Sequence, residues 1–259
     1  MWWDSVKKWF KNKLSPSKPA ESVPGPAPII IPPEIITLPS HPEVIETGVT
    51  CSIDFKTPDH ECLAKIIQLD NPNDSRILKI QKHFKEFGFV YRDAASRILS
   101  RRTTPVYEDE LGVLAIGLCA LYYREDSRMD FTTCLHNGEK LSSVNKYGTT
   151  LIPKGRGKGK NWDWAQAADD AMFIKKSQFP AKWTMGSFLA FSEKFNGTGY
   201  RSKIGDKGRV ELSPYVYAAT NLHDETGKYY KDSKYSPTAP ESQLGTAAVY
   251  LALKTLGLT

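Results

Sequence analysis

Glu125 is the acid with the most unusual surroundings in this chain. It follows Leu111–Tyr123, thirteen uncharged residues, and charge arrives only at Arg124, Glu125 and Asp126. The pattern predicts a helix from Glu108 to Arg124, apolar nearly all round and therefore central to a core. A carboxyl at the C-terminal end of such a helix loses solvation and meets the negative end of the helix dipole. Both effects raise its pKa, and a carboxyl kept protonated near neutrality can act as general acid at a glycosidic bond. The bland alternative is a solvated helix end. Two-carboxylate glycosidases place a second acid roughly 5–10 Å away. Asp126, Asp130 and Glu139 are the candidates, and none stands out as a partner. Asp126 would point about 100° away from Glu125 on a helix, and Asp130 reads as a residue that orders the following loop.

The segment around Glu125 carries a recognisable series. Tyr123-Arg124-Glu125-Asp126-Ser127 is followed by Asp130-Phe131, then by Leu135-His136-Asn137-Gly138-Glu139-Lys140-Leu141. Ile152-Pro153-Lys154-Gly155-Arg156, Phe195-Asn196-Gly197-Thr198-Gly199-Tyr200 and Ser213-Pro214-Tyr215-Val216-Tyr217-Ala218-Ala219-Thr220-Asn221 come later, and Gln243-Leu244-Gly245 opens a last helix. In this order the motifs resemble those of phage-type peptidoglycan hydrolases with a lysozyme-like fold, relatives of the lytic transglycosylases. The resemblance runs from Leu111 to Leu256. It departs from the family pattern at the inserted Gly157-Lys158-Gly159-Lys160 and in the charged segment Ile204–Glu211, both of which bear on the rim of a cleft rather than on Glu125.

The resemblance implies that Glu125 protonates the glycosidic oxygen between N-acetylmuramic acid and N-acetylglucosamine. It implies further that Ser127 supports the glutamate or the acetamido group, and that His136 and Asn137 shape the loop beside it. Asn196, Tyr200, Tyr215, Tyr217 and Asn221 become candidate sugar contacts, with structural turns and buried packing as the competing readings. Tyrosine offers an aromatic face and a hydroxyl handle, both suited to glycans. No cofactor or metal is called for: Cys51, His60 and Cys62 lack a fourth ligand at zinc spacing. The function expected is cleavage of the glycan strands of bacterial peptidoglycan, by lytic transglycosylation or by hydrolysis, in phage-mediated wall degradation or host lysis. The alternative is a non-enzymatic wall-binding or virion structural protein that keeps the fold.

The fold expected is mainly α, a lysozyme-like helical catalytic domain with little β, preceded by a proline-rich tether. Residues 2–14 place Trp2, Trp3, Val6, Trp9, Phe10 and Leu14 near helical spacing with lysines between them. That is a basic amphipathic segment for a membrane surface or a protein partner, or one that packs on the body. Residues 15–45 hold most of the prolines and read as a semi-rigid linker. Residues 46–105 read as a helical region, either separate from or part of the catalytic domain, which covers 106–259. Within them, Asp74 or Ser75 caps a helix bearing Ile77, Ile80, Phe84 and Phe87, and a separate helix runs from Arg92 to about Arg101. Further helices are expected at Trp164–Ser177, Ala181–Lys194 and Glu241–Leu256. The last has Thr238 and Glu241 at capping-box spacing, and the tyrosine-rich stretch 195–237 before it is expected to be irregular.

Charge narrows the partners. The net +6 sits in residues 1–14 and in Lys154, Arg156, Lys158 and Lys160, which leaves the rest near neutral. A nucleic-acid binder would spread basic side chains along a face, so nucleic acid is not expected. The run from Lys154 to Asn161 is not a phosphate-binding Walker loop and reads as a basic rim for an anionic wall or as a solvated loop. No apolar run reaches the ~20 residues that span a bilayer, and no secretory signal opens the sequence. Synthesis in the cytoplasm and action on the wall, free or virion-attached, is the localisation expected. The four cysteines, Cys51, Cys62, Cys119 and Cys134, read mainly as packed free thiols, with Cys51–Cys62 and Cys119–Cys134 as the possible pairs.

Overall fold

The computed structural model describes residues 51–103, 106–151, 153–203, 212–223, 226–231 and 234–257. The amphipathic segment 1–14 and the linker 15–45 lie outside the described residues. The described part is a mainly α-helical domain. Its helices are α1 (His60–Ile66), α2 (Ser75–Ser100), α3 (Glu108–Glu125), α4 (Leu141–Tyr147), α5 (Trp164–Ile174), α6 (Met185–Asn196), α7 (Pro214–Tyr217) and α8 (Thr246–Lys254). One antiparallel hairpin, β1 (Thr226–Lys231) with β2 (Lys234–Pro240), is the sheet among the described residues.

α3 is the axis of the core, as its composition predicts. Every residue from Val113 to Tyr123 that carries a side chain is buried, because α2, α6 and α8 all pack against it. At Gly117 the approach is closest: a Cβ there would lie 2.5 Å from the Phe188 ring of α6. α2 is one continuous helix of 26 residues where the sequence divides it in two. Asp74 caps it, accepting from the Arg76 N–H. Ile77, Ile80, Phe84, Tyr91, Ala94, Ala95 and Ile98 form a single buried stripe that also meets α5 and α8. Gly88 falls inside the helix, and its intrinsic cost of ~1 kcal/mol is small beside the burial of that stripe. Residues 60–100 therefore share one core with the later helices.

Other differences have equally local causes. α8 begins at Thr246, with Gly245 as its N-cap, because Thr238 is drawn into β2. The tyrosine-rich stretch is more regular than its sequence predicts, containing a 3-10 turn at Thr198–Lys203, α7 and the hairpin. Cys51 and Cys62 form a disulfide, whereas Cys119 and Cys134 are buried free thiols. The free-thiol expectation fails for the first pair because α1 brings Cys62 to Cys51, with their Cα atoms 5.8 Å apart.

Candidate active site

Glu125 is the last residue of α3, with Asp126 as the C-cap in extended conformation. The side chain is partly accessible. Burial pushes its carboxyl above the usual carboxylate range, and a Tyr215 hydrogen bond and the Arg124 charge oppose that shift without cancelling it. Tyr215 Oη donates to Glu125 Oε1 across 3.0 Å. The Arg124 guanidinium lies 4.8 Å over the Tyr215 ring and donates to the Leu244 carbonyl at 3.3 Å, with Glu241 3.8 Å away. Gln243 Nε2 reaches the Arg124 carbonyl at 3.5 Å. Three of the sequence motifs, at 123–127, 213–221 and 243–245, thus meet at one acid.

Tyr215 can reach Glu125 because of how α7 is seated. Pro214 opens this one-turn helix, where its missing N–H costs nothing. Gly245 N–H then bonds to the Ala218 carbonyl at 2.9 Å. A Cβ at Gly245 would sit 2.4 Å from the Val216 carbonyl oxygen, so only glycine lets the two segments touch.

The loop after Glu125 is held by side chains that the sequence singles out for other work. Asp126 binds Arg128 at 2.8 Å and accepts from Thr133 Oγ1 at 2.7 Å, and these contacts lower its carboxyl to about 2. Asp130 accepts from the Thr132 N–H at 3.0 Å and from its hydroxyl. Met129 and Phe131 both adopt positive φ, 56° and 59°, a conformation that costs an L-residue ~1–2 kcal/mol. Packing offsets the cost at Phe131, whose ring lies between 5.3 and 5.7 Å from those of His83, Phe87, Tyr91, Tyr122 and Trp164. Ser127 is exposed on this loop and makes no hydrogen bond to Glu125.

The next two motifs brace each other. His136 Nε2 meets Asp170 Oδ2 at 2.9 Å, and Arg156 binds the same carboxylate through Nε at 2.9 Å and through a second nitrogen. His136 also stacks on Trp162, centroids 6.0 Å apart. Asn137 donates to Glu139 at 2.8 Å, and Glu139 accepts from the Thr150 N–H at 2.9 Å, from its hydroxyl, and from the Leu151 N–H at 3.3 Å. Gly138, at φ 71°, abuts the site: a Cβ there would be 3.4 Å from the Glu125 carbonyl oxygen. The side chains of His136 and Asn137 thus brace the segments 136–139, 150–151, 156 and 162 together with Asp170 and Arg156.

The remaining candidates stand elsewhere. Tyr217 is fully buried, its hydroxyl 2.6 Å from His60 Nδ1. Asn221 spends its carboxamide on the chain after α1, accepting from the Gln68 N–H at 2.8 Å and donating to the Ile66 carbonyl at 3.2 Å. Asn196 is exposed at the end of α6, and the Tyr200 side chain lies outside what is described. A cavity of about 530 Å³ is lined by Ile98, Arg101, Asp169, Phe173 and Phe179 among others, and none of the candidates borders it. Its acid, Asp169, is paired with Arg101. Among the described residues no cluster of His, Cys, Asp or Glu is placed to hold a metal ion, and no helix is long and apolar enough to cross a membrane.

No protein-family model, no curated protein and no solved structure matches the chain.

Proposed function

We propose that the protein is a glycosidase of lysozyme-like type that cleaves the glycan strands of bacterial peptidoglycan, with Glu125 as general acid. The observation that carries this reading is the Glu125 carboxyl itself. Burial shifts its pKa upward, towards the protonated form that a general acid needs, and it stays partly accessible while Tyr215 fixes one of its oxygens. The other oxygen is the one that delivers the proton to the glycosidic oxygen. The bond from C1 of the muramic acid residue to that oxygen then breaks.

The neighbouring acids favour lytic transglycosylation over hydrolysis. Asp126, Asp130 and Glu139 are each committed to ordering the loops by several donors, and none of them is hydrogen-bonded to Glu125 or to Tyr215. The substrate's own acetamido oxygen then supports C1 as the bond breaks. The C6 hydroxyl of the same sugar attacks C1 and returns its proton to Glu125, so the acid is regenerated and a 1,6-anhydro end forms without water.

The test is Glu125→Gln, which keeps the shape and removes the proton. General acid catalysis contributes ~10²–10⁴-fold, so clearing of purified walls should fall at least that far while the protein stays folded. Mass spectrometry of the muropeptides released by the parent protein should show anhydro-muramyl ends, one water lighter than hydrolytic products. Near-parental clearing by the variant sinks the proposal. Reducing muramic acid ends leave the acid in place but overturn the transglycosylase mechanism.

A further inference from the structure

The segment from Lys140 to Trp162 carries Lys140, Lys146, Lys154, Arg156, Lys158 and Lys160 and contains no Asp or Glu. Arg156 is neutralised by Asp170. The five lysines are all exposed, and both acids that flank the segment are engaged: Glu139 by Thr150 and Leu151, and Asp163 by the Gln166 N–H as the N-cap of α5. Sequence alone shows the cluster 154–160; the fold brings Lys146 beside it through the bond from Gly159 to Asn145, and Lys140 is the N-cap of the same helix, α4.

The loop that presents these charges is built rather than loose. Gly155 N–H bonds to the Thr149 carbonyl at 2.8 Å, Thr149 N–H to the Arg156 carbonyl at 3.0 Å, and Gly159 N–H to the Asn145 carbonyl at 2.7 Å. Asn145 clasps Trp162 through both of its amide atoms, at 2.8 and 2.9 Å. Gly155, Gly157 and Gly159 all take positive φ, 76°, 77° and 73°, the conformation that lets the chain double back. The bond from Gly159 to Asn145 sets Lys158 and Lys160 beside Lys146, whose ammonium rests 4.9 Å over the exposed Tyr147 ring. A polyanion meeting this face need not order a loop, which is a main cost of association. The face is also continuous with the candidate site through Glu139, Asn137 and the Gly138 turn against Glu125.

We infer that this lysine face binds the free carboxylates of peptidoglycan stem peptides, so that the enzyme prefers peptide-bearing strands to bare glycan. The inference rests on the glycosidase reading above. A glycan of N-acetylated sugars offers a lysine no charge. The stems attached to alternate sugars supply carboxylates repeatedly along one strand, and several weak contacts made together add to one useful affinity. Tyr147 and Leu151, both exposed, give the sugars an apolar surface among the charges.

The experiment uses the full chain carrying Glu125→Gln, pelleted with three materials. These are sacculi freed of accessory polymers, the same sacculi with stem peptides removed by an amidase, and phosphatidylglycerol vesicles. Changing the five lysines together to Gln should weaken binding to intact sacculi about tenfold, since each exposed ion pair contributes only a few tenths of a kcal/mol. The five Lys→Arg changes should restore it. Added salt should weaken the parent more than the Gln variant, and binding to stripped sacculi should be weak for all. Equal binding of parent and Gln variant to intact sacculi overturns the inference, as does lysine-dependent binding to stripped sacculi or to vesicles alone. Muropeptide release by the parent chain is read separately. Lysine-dependent binding without release sinks the glycosidase reading, and release with lysine-independent binding sinks only the lysine face.

Discussion

Tyr215 and Glu125 are joined by a 3.0 Å hydrogen bond between residues ninety positions apart, and this bond works against the burial that raises the Glu125 pKa. A hydroxyl donated to a carboxylate favours the ionised form. Burial favours the neutral form and is the larger effect, so the carboxyl ends above its ordinary value. The Arg124 guanidinium over the Tyr215 ring adds a second, weaker pull towards ionisation. The acid is thus held between two demands. As the general acid proposed above, it must keep a proton long enough to give it away and must be stable once it has done so.

Tyr215→Phe separates these demands. Without the donor, the Glu125 pKa should rise further, and the alkaline limb of the pH–activity profile should move to higher pH. The rate on the acid plateau should fall, because the developing carboxylate loses its partner. The sign for stability follows from the raised value in the folded protein. Glu125 contributes stability fully below its unfolded pKa and loses it as pH rises through the folded one. The melting temperature of the parent relative to Glu125→Gln should therefore decline from pH 4 to pH 8, and more steeply in the Tyr215→Phe background. Profiles that superimpose in activity and in melting would show that the hydrogen bond does not tune the acid.

Much of this arrangement is readable from sequence, and the parts that are not share a cause. The uncharged run Leu111–Tyr123 announces α3 and the placement of Glu125, since a helix apolar all round can only be central. The motif order puts Tyr215 and Gln243-Leu244-Gly245 in one series with the acid, but reads them as a sugar contact and a helix start; their contacts with Glu125 and Arg124 appear only in the fold. Asp170 carries no such signal. It lies inside the helix α5, and its importance appears only when the fold brings His136, 34 positions away, and Arg156, 14 away, to its oxygens. Tyr217 and Asn221 mislead for the converse reason. Their side chains are suited to sugars, but burial against His60 and the bonds to residues 66–68 commit them to the fold. The break expected between Phe87 and Arg92 does not occur, because the buried stripe of Ile77, Ile80, Phe84, Tyr91, Ala94 and Ile98 continues through it.

Gly245→Ala tests the seating of α7. The new methyl would meet the Val216 carbonyl oxygen at 2.4 Å and the Ala218 nitrogen at 2.6 Å. Both are backbone atoms, so neither can swing aside, and overpacking of this kind costs ~1–3 kcal/mol. A shift of α7 also moves Tyr215, and a shift of Leu244 loosens its hold on Arg124. Urea unfolding should show a lower midpoint with an unchanged slope, and, on the function proposed above, the remaining folded protein should clear walls more slowly. Parental stability in Gly245→Ala would mean that the segments have room to part.

Glu193 and His60 are buried, and the partly exposed Arg201 joins them, on the Tyr217 side of the same short helix. Its Oε2 lies 2.9 Å from His60 Nε2, and Arg201 Nε donates to Oε1 at 2.8 Å. Burial pushes the carboxyl up, but the hydrogen bonds and charges of Arg201 and His60 outweigh it and bring it down to about 2. A carboxyl depressed in the folded state contributes stability that is present above its unfolded pKa and lost as pH falls through the folded value. The parent should therefore lose stability between about pH 5 and pH 2. Asp126 and Asp170, both also near 2, contribute to the same window, so the informative quantity is a difference. Glu193→Gln removes one titrating group and leaves Arg201 without its counter-charge. At pH 7 it should cost ~3 kcal/mol, the lower end for breaking a buried pair, and the gap to the parent should close as pH falls towards 2. Because Tyr217 binds His60 and shares α7 with Tyr215, wall clearing should drop with stability. Melting curves of parent and variant that run parallel from pH 7 to pH 2 would exclude an ionised Glu193 as the support of this helix.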